Sequence, residues 1–153
     1  SIFDCEQVYD YHGDFHFANI VFNRDTSQYK LVDLRPDFNN SEGWGDMYYD
    51  LGKMYAGCEV QFSKIKNLDK ENFKKLLVET SSGEYSLTEH KSSELIKFKK
   101  FFEKWIKSNN LDLKRVKLIA GLVLCKIASL HEENQGDFLF LNGRRVLDEA
   151  IKI

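Results

Sequence analysis

Apolar positions along this chain follow two different rhythms. Near the start, Ile20–Asn23 and residues 29–33 are short runs rich in β-branched and aromatic side chains, separated by the polar residues 24–28. That pattern predicts a β-hairpin with a five-residue connection. From residue 45 onward the spacing becomes helical. Gly45-Asp46 precedes Tyr48, Leu51, Met54 and Tyr55, which share one face, and Asp46 suits the N-cap of that helix. Leu95, Phe98, Phe102 and Trp105 form a second stripe. Val116, Ile119, Ala120, Val123, Leu124 and Ile127 form a third, begun by Asp112. A last helix is expected from about Gly136 to Ile151, with Phe138, Leu141 and Leu147 inward. Residues 58–90 carry less pattern: Asp69 is predicted to cap a short helix through Leu77, and Ser81-Ser82-Gly83 to form a turn. The expected fold class is α+β, mostly α, with one small hairpin in front of a helical body and residues 1–153 forming a single unit.

Composition narrows the classes. With 42% hydrophobic residues, 12 Phe and a single proline, Pro36, the chain has the means for a packed core and no linker-like segment. Cys5, Cys58 and Cys125 are far apart and odd in number, so neither a disulfide framework nor a zinc ribbon is expected, and a reducing cytoplasm fits best. No apolar run approaches the roughly 20 residues that span a bilayer, and no signal peptide is recognised. Residues 1–60 hold eleven Asp/Glu against four Lys/Arg, a balance of −7 within a chain of net charge −2. An acidic first third suits divalent cations and disfavours a nucleic-acid surface there.

The chemistry concentrates in Tyr11-His12-Gly13-Asp14-Phe15-His16-Phe17-Ala18-Asn19-Ile20, followed by Leu31-Val32-Asp33-Leu34. Phosphoryl transfer asks for one carboxylate to orient and deprotonate a hydroxyl, and for oxygen ligands to hold Mg²⁺ against the phosphates. Asp14 and Asn19 are five apart, as in the H-x-D-x-x-x-x-N loop of kinases. The hairpin then returns the chain so that Asp33 can lie beside Asn19. One base and two metal ligands are thereby expected in one place.

These segments resemble the catalytic and metal motifs of the aminoglycoside phosphotransferase/choline kinase group, the small-molecule branch of the protein-kinase-like fold. Gly45-Asp46-Met47-Tyr48-Tyr49-Asp50-Leu51 is similar to that group's G-D-x-x-x-D-L stretch. The resemblance covers about residues 11–57 in detail. It implies the C-terminal lobe of a kinase-like fold, with Asp14 as catalytic base, Asn19 and Asp33 as Mg²⁺ ligands, and ATP as phosphate donor. It further implies that Asp50 is a buried carboxylate holding the catalytic loop through backbone N–H groups and that His12 braces that loop. His16 and Arg35 are candidates to contact substrate or phosphate. Only eleven residues precede His12, with no Gly-rich loop and strand lysine among them, so the nucleotide-binding N-terminal lobe is expected to lie outside this chain. Asp33 is followed by Leu34-Arg35 and not by Phe-Gly, which favours the small-molecule branch. The acceptor, a hydroxyl-bearing small molecule, is expected among residues 58–153. Ser129-Leu130-His131 and residues 143–150 have a fainter likeness to sugar kinases of bacterial surface-polysaccharide synthesis, which leans the acceptor towards a sugar or polyol.

Other readings explain less of the sequence. His12, Asp14 and His16 alternate as strand neighbours would, an arrangement that suits zinc in a hydrolase, but Asn19, Asp33 and the second acidic motif then have no role, and neither His90 nor His131 is placed as a further ligand. A non-catalytic binding module built on the helical surface is the third reading. Asp46 is better read as a cap than as a ligand. Phe98, Phe101, Phe102 and Trp105 read as core, and Lys97, Lys99, Lys100, Lys104 and Lys107 as the solvated side of the same helix.

Overall fold

The computed structural model of the chain describes residues 7–9, 11–35, 44–79, 85–87 and 91–153. In chain order these form β1 (Gln7–Tyr9), a 3₁₀ turn (Phe17–Asn19), β2 (Ile20–Asn23), β3 (Gln28–Leu31), β4 (Trp44–Asp46) and α1 (Met47–Glu59). They continue with α2 (Phe62–Ile65), α3 (Lys70–Leu76), β5 (Leu77–Glu79), β6 (Tyr85–Leu87), α4 (Ser93–Ser108), α5 (Leu113–Ala128) and α6 (Glu133–Ile151). The fold is mostly helical, with three separate antiparallel pairs, β1 with β4, β2 with β3, and β5 with β6. No helix among the described residues is long and apolar enough to cross a membrane.

The β2–β3 hairpin pairs Asn23 with Gln28, so its connection has four residues where the sequence suggested five. The reason is local: Asn23 Oδ1 accepts hydrogen bonds from Asp25 N at 2.9 Å and Thr26 N at 3.3 Å, and Ser27 adopts a positive φ of 52°. An Asx turn of this kind closes the loop one residue early. β3 therefore ends at Leu31, and Asp33 lies beyond the strand. The expected turn at residues 81–83, together with Cys5 and His90, falls outside the described residues.

The three predicted caps form: Asp46, Asp69 and Asp112 each accept from a backbone N–H of the first turn of α1, α3 and α5, and Ser92, which the sequence reading did not single out, caps α4 in the same way. α1, α5 and α6 build the core. Gly121 of α5 and Gly143 of α6 permit backbone-to-backbone contact; a Cβ on either would lie 2.9 Å from the other's carbonyl oxygen. The inward faces differ in detail from the apolar stripes. On α4, Phe102 and Ile106 are buried while Trp105 and Phe101 are exposed, and α6 buries Leu139, Val146 and Ala150 more deeply than Leu141 or Leu147. α6 starts at Glu133, three residues before the expected Gly136, because its first turn packs on the end of α5: Gly136 sits against the Ala128 carbonyl.

An ionic knot fastens this body. Glu59, fully buried at the end of α1, receives Lys99 of α4 at 2.5 Å, Arg145 of α6 at 2.6 Å and Lys91 at 3.2 Å. Burial alone would raise its pKa, but the three cations outweigh it and hold the carboxyl at about 2. A pKa lowered on folding stabilises the protein above the unfolded value of about 4.5, and that stabilisation is lost as pH falls towards 2. Glu59→Gln should lower stability near neutral pH by about 3 kcal/mol, since the half-buried Lys91, Lys99 and Arg145 lose the fully buried carboxylate they share. Urea unfolding across pH 2 to 7 should also show a shallower acid slope in the variant, and equal slopes would refute the role.

Candidate functional site

Residues 11–16 have no regular secondary structure, yet His12, Gly13 and Asp14 are buried. Their backbone groups need partners, and Asp50 supplies them. From the first turn of α1 its carboxylate accepts the N–H of His12 at 2.6 Å and of Gly13 at 3.0 Å. Burial pushes Asp50 above the ordinary carboxylate range, against the pull of the N–H groups of His12, Gly13 and Phe15. Gly13 is required where it stands: its φ is +76°, and a Cβ there would lie 2.7 Å from the Arg35 carbonyl oxygen. The Arg35 N–H donates to the His12 carbonyl at 2.9 Å, which brings residues 33–35 back against the loop.

Asp14 is the centre of this arrangement. Its carboxylate is nearly enclosed and meets Lys53 Nζ at 2.6 Å, an Arg35 guanidinium nitrogen at 2.7 Å and His16 Nε2 at 3.7 Å. Burial raises its pKa, but the hydrogen bond and charge of Lys53, then His16 and Arg35, prevail and leave it below the usual range. Asn19 Nδ2 donates to the Asp14 carbonyl at 2.9 Å, fixing the two ends of the loop relative to each other. His12 Nδ1 accepts from the Asp14 N–H at 3.3 Å. His16 Nδ1 accepts from the Ala18 N–H and caps the 3₁₀ turn, which leaves Nε2 towards Asp14. Burial keeps the His16 pKa low despite the neighbouring carboxylate, and Lys53 acts in the same direction.

Asp33 comes to Asn19 through the backbone: the Val32 N–H donates to the Asn19 carbonyl at 3.0 Å, extending the hairpin ladder by one bond. Asp33 itself has φ +57° and a side chain 63% exposed, 3.9 Å from Arg35. Aspartate is one of the few residues that tolerate this left-handed backbone. With its Nδ2 committed to Asp14, Asn19 has its amide oxygen left over; this oxygen and the Asp33 carboxylate are both hard oxygen donors. Among the described residues no group of three or more His, Cys, Asp or Glu could hold a metal ion. A zinc triad of His12, Asp14 and His16 does not assemble among the described residues, and Asp14 is already flanked by the cations of Lys53 and Arg35.

Lys53 escaped the sequence reading. It follows Asp50 by three residues, so the α1 face that holds the loop also carries the cation beside Asp14. Lys53 and His16 line a cavity of about 840 Å³ between the loop, α1, α2 and the helices α4 to α6. Phe17 leans over Gly57 and meets the Phe98 ring edge-on at 5.3 Å, forming part of its wall. Cys58 is buried with its thiol pushed up to about 12, and Cys125 is half-buried; neither lines the cavity.

Two substitutions probe this geometry. Asp50→Ala should cost about 1–3 kcal/mol, the usual penalty for orphaned buried donors, and accelerate amide exchange at His12 and Gly13 specifically. Unchanged exchange at those two amides would deny Asp50 its tether. Lys53→Met should raise the Asp14 pKa, because a stabilising cation is lost; a carbon-detected titration of the Asp14 carboxyl reads this directly, and a fall would contradict the geometry.

Among known proteins, no family model, no curated sequence and no solved structure matches this chain, so its function is argued from the geometry above.

Proposed function

We propose that this chain is the catalytic lobe of an ATP-dependent phosphotransferase that acts on a hydroxyl of a small molecule, built on a kinase-like C-terminal lobe. The observation that carries this reading is a single one: a buried carboxylate, Asp14, sits on a loop tethered by Asp50 and tied to Asn19, and lies directly behind a cavity walled by His16 and Lys53. Each of these residues falls within the sequence segments that resemble the small-molecule kinases, apart from the direct contact of Lys53.

An acceptor in the cavity would bring its hydroxyl to Asp14, which accepts the O–H hydrogen bond and aligns the oxygen with the γ-phosphorus of ATP. As the new O–P bond forms, the bond to the β,γ-bridging oxygen breaks and ADP departs with that electron pair. The hydroxyl proton passes to Asp14. A depressed pKa fits this order of events, because a loose transition state demands orientation first and proton removal late. Lys53 and Arg35 balance the charge of Asp14 and lie where negative charge would gather on the transferred group. Asn19 and Asp33 would hold Mg²⁺, which supplies charge neutralisation at the phosphates.

The exposed apolar side chains of the hairpin support the same reading. Val21, Phe22, Tyr29 and Leu31 face solvent, with the Phe22 and Tyr29 rings 4.7 Å apart. In the kinase-like fold a nucleotide-binding lobe covers this region, and that lobe is the partner we assign to it.

Calorimetry of Mg²⁺-dependent ATP binding tests the proposal. Binding that requires Mg²⁺ and is lost in Asp33→Ala, but retained in Asp14→Ala, is the expected result. In the complete enzyme Asp14→Ala should reduce phosphate transfer by about 10²-fold or more. Full turnover without Asp14, or ATP binding indifferent to Mg²⁺ and Asp33, would sink the assignment.

A further inference from the structure

The cavity beside Asp14 has a character of its own. Its walls are chiefly apolar, drawn from Phe17, Phe62, Leu95, Phe98, Val123 and Ile127. A ligand with hydroxyls on every side, such as a bare sugar, would leave most of them unpaired against such a surface, at a cost for each one desolvated. The charged groups at its edge are unequal. Lys53 stands at the loop end and Lys66 just beyond α2, while Glu94 is the one carboxylate among the described lining residues. Glu94 is in the first turn of α4, fully exposed, and accepts a hydrogen bond from Ser93 Oγ at 2.9 Å. At the loop end, Lys53 and Arg35 are matched by the carboxylates of Asp14 and Asp33, so the lining cation left to meet a ligand's charge is Lys66. Polycationic acceptors are normally met by several carboxylates, and this cavity does not present them.

We infer that the cavity receives an alcohol with an apolar ring or chain body and an anionic group, and disfavours cationic amino alcohols and aminoglycosides. The inference rests on the phosphotransferase reading only for the hydroxyl; the body and charge of the ligand are argued from the cavity. Lys66 is the specificity-determining cation, since it is exposed, lines the cavity and has no role in the loop.

A matched set of biphenyl probes tests this, each carrying a 4′-hydroxymethyl group and, at position 4, a carboxylate, a carboxamide or an aminomethyl group. Methyl-detected NMR titration of the chain gives both the affinity and the place of binding. The carboxylate should bind about fivefold or more tighter than the ammonium, with the carboxamide between them. Shifts should centre on Leu95, Val123 and Ile127. Lys66→Glu, a surface change that spares the core, should invert the order while leaving the carboxamide unaffected. Tighter binding of the ammonium, shifts centred on other methyls, or no saturable binding of any probe up to about 10 mM would overturn the inference. So would an order untouched by Lys66→Glu. Adding Mg²⁺ and ATP to the complete enzyme separates the two proposals. Absence of transfer with the anion preference intact sinks the phosphotransferase and leaves the ligand class standing. Transfer to the ammonium probe in preference to the carboxylate does the reverse.

Discussion

The two hydrogen bonds from the Asp50 carboxylate to the N–H groups of His12 and Gly13 are the constraint on which the site depends. A loop buried without secondary structure has no internal partners for its backbone, and each unsatisfied group would cost about 1–3 kcal/mol. Because Asp50 rides on the first turn of α1, the loop inherits the orientation of a helix whose own position is fixed by the core. Asp46 strengthens that placement: it caps α1 through Tyr48 N and pairs with Arg115 of α5 at 2.8 Å. Arg115 in turn lies over the Tyr48 ring, and the Tyr48 hydroxyl accepts from the Asp112 N–H. The starts of α1 and α5 are thereby joined at the point from which the loop hangs.

α1 connects two acidic centres of different purpose. At its first turn Asp50 meets backbone donors; at its last turn Glu59 is surrounded by Lys91, Lys99 and Arg145 from the segment before α4, α4 and α6. Burial opposes ionisation in both, but only at Glu59 do full cations reverse the effect. The contrast is physical: N–H dipoles offset part of a desolvation cost, and opposite charges in a dry setting offset more than all of it. Lys53, midway between, carries the charge that keeps Asp14 ionised. One helix thus aligns the tether, the cation and the wall of the cavity.

Much of this organisation is legible in the residues. Asp46, Asp69, Ser92 and Asp112 act through backbone groups two or three positions away, so their capping depends only on local sequence. The spacing of Asp14, Asn19 and Asp33 also requires little more than a short hairpin, whose register follows from two β-rich runs. The Asx turn at Asn23 shortened that hairpin's loop by one residue, because a side chain competed for the backbone donors that a five-residue connection would have left to water.

The amino-acid sequence by itself determined the helical body, its caps, the hairpin and the placing of His12, Asp14, Asn19, Asp33 and Asp50 in three neighbouring motifs. Tertiary structure alone decided which helix faces are buried. Periodicity marks a stripe about 100° wide, and tertiary packing buried Ile106 and left Trp105 exposed on α4. It also decided that Lys53 meets Asp14 and that Lys99 and Arg145 meet Glu59. A lysine or arginine on a helix surface looks the same in sequence whether it ends in water or, like Lys53 and Arg145, against a carboxylate 39 or 86 residues away. Only the approach of one element to another, set by core volume and by glycines such as Gly57 and Gly121, brings the charges together and opens the cavity between them.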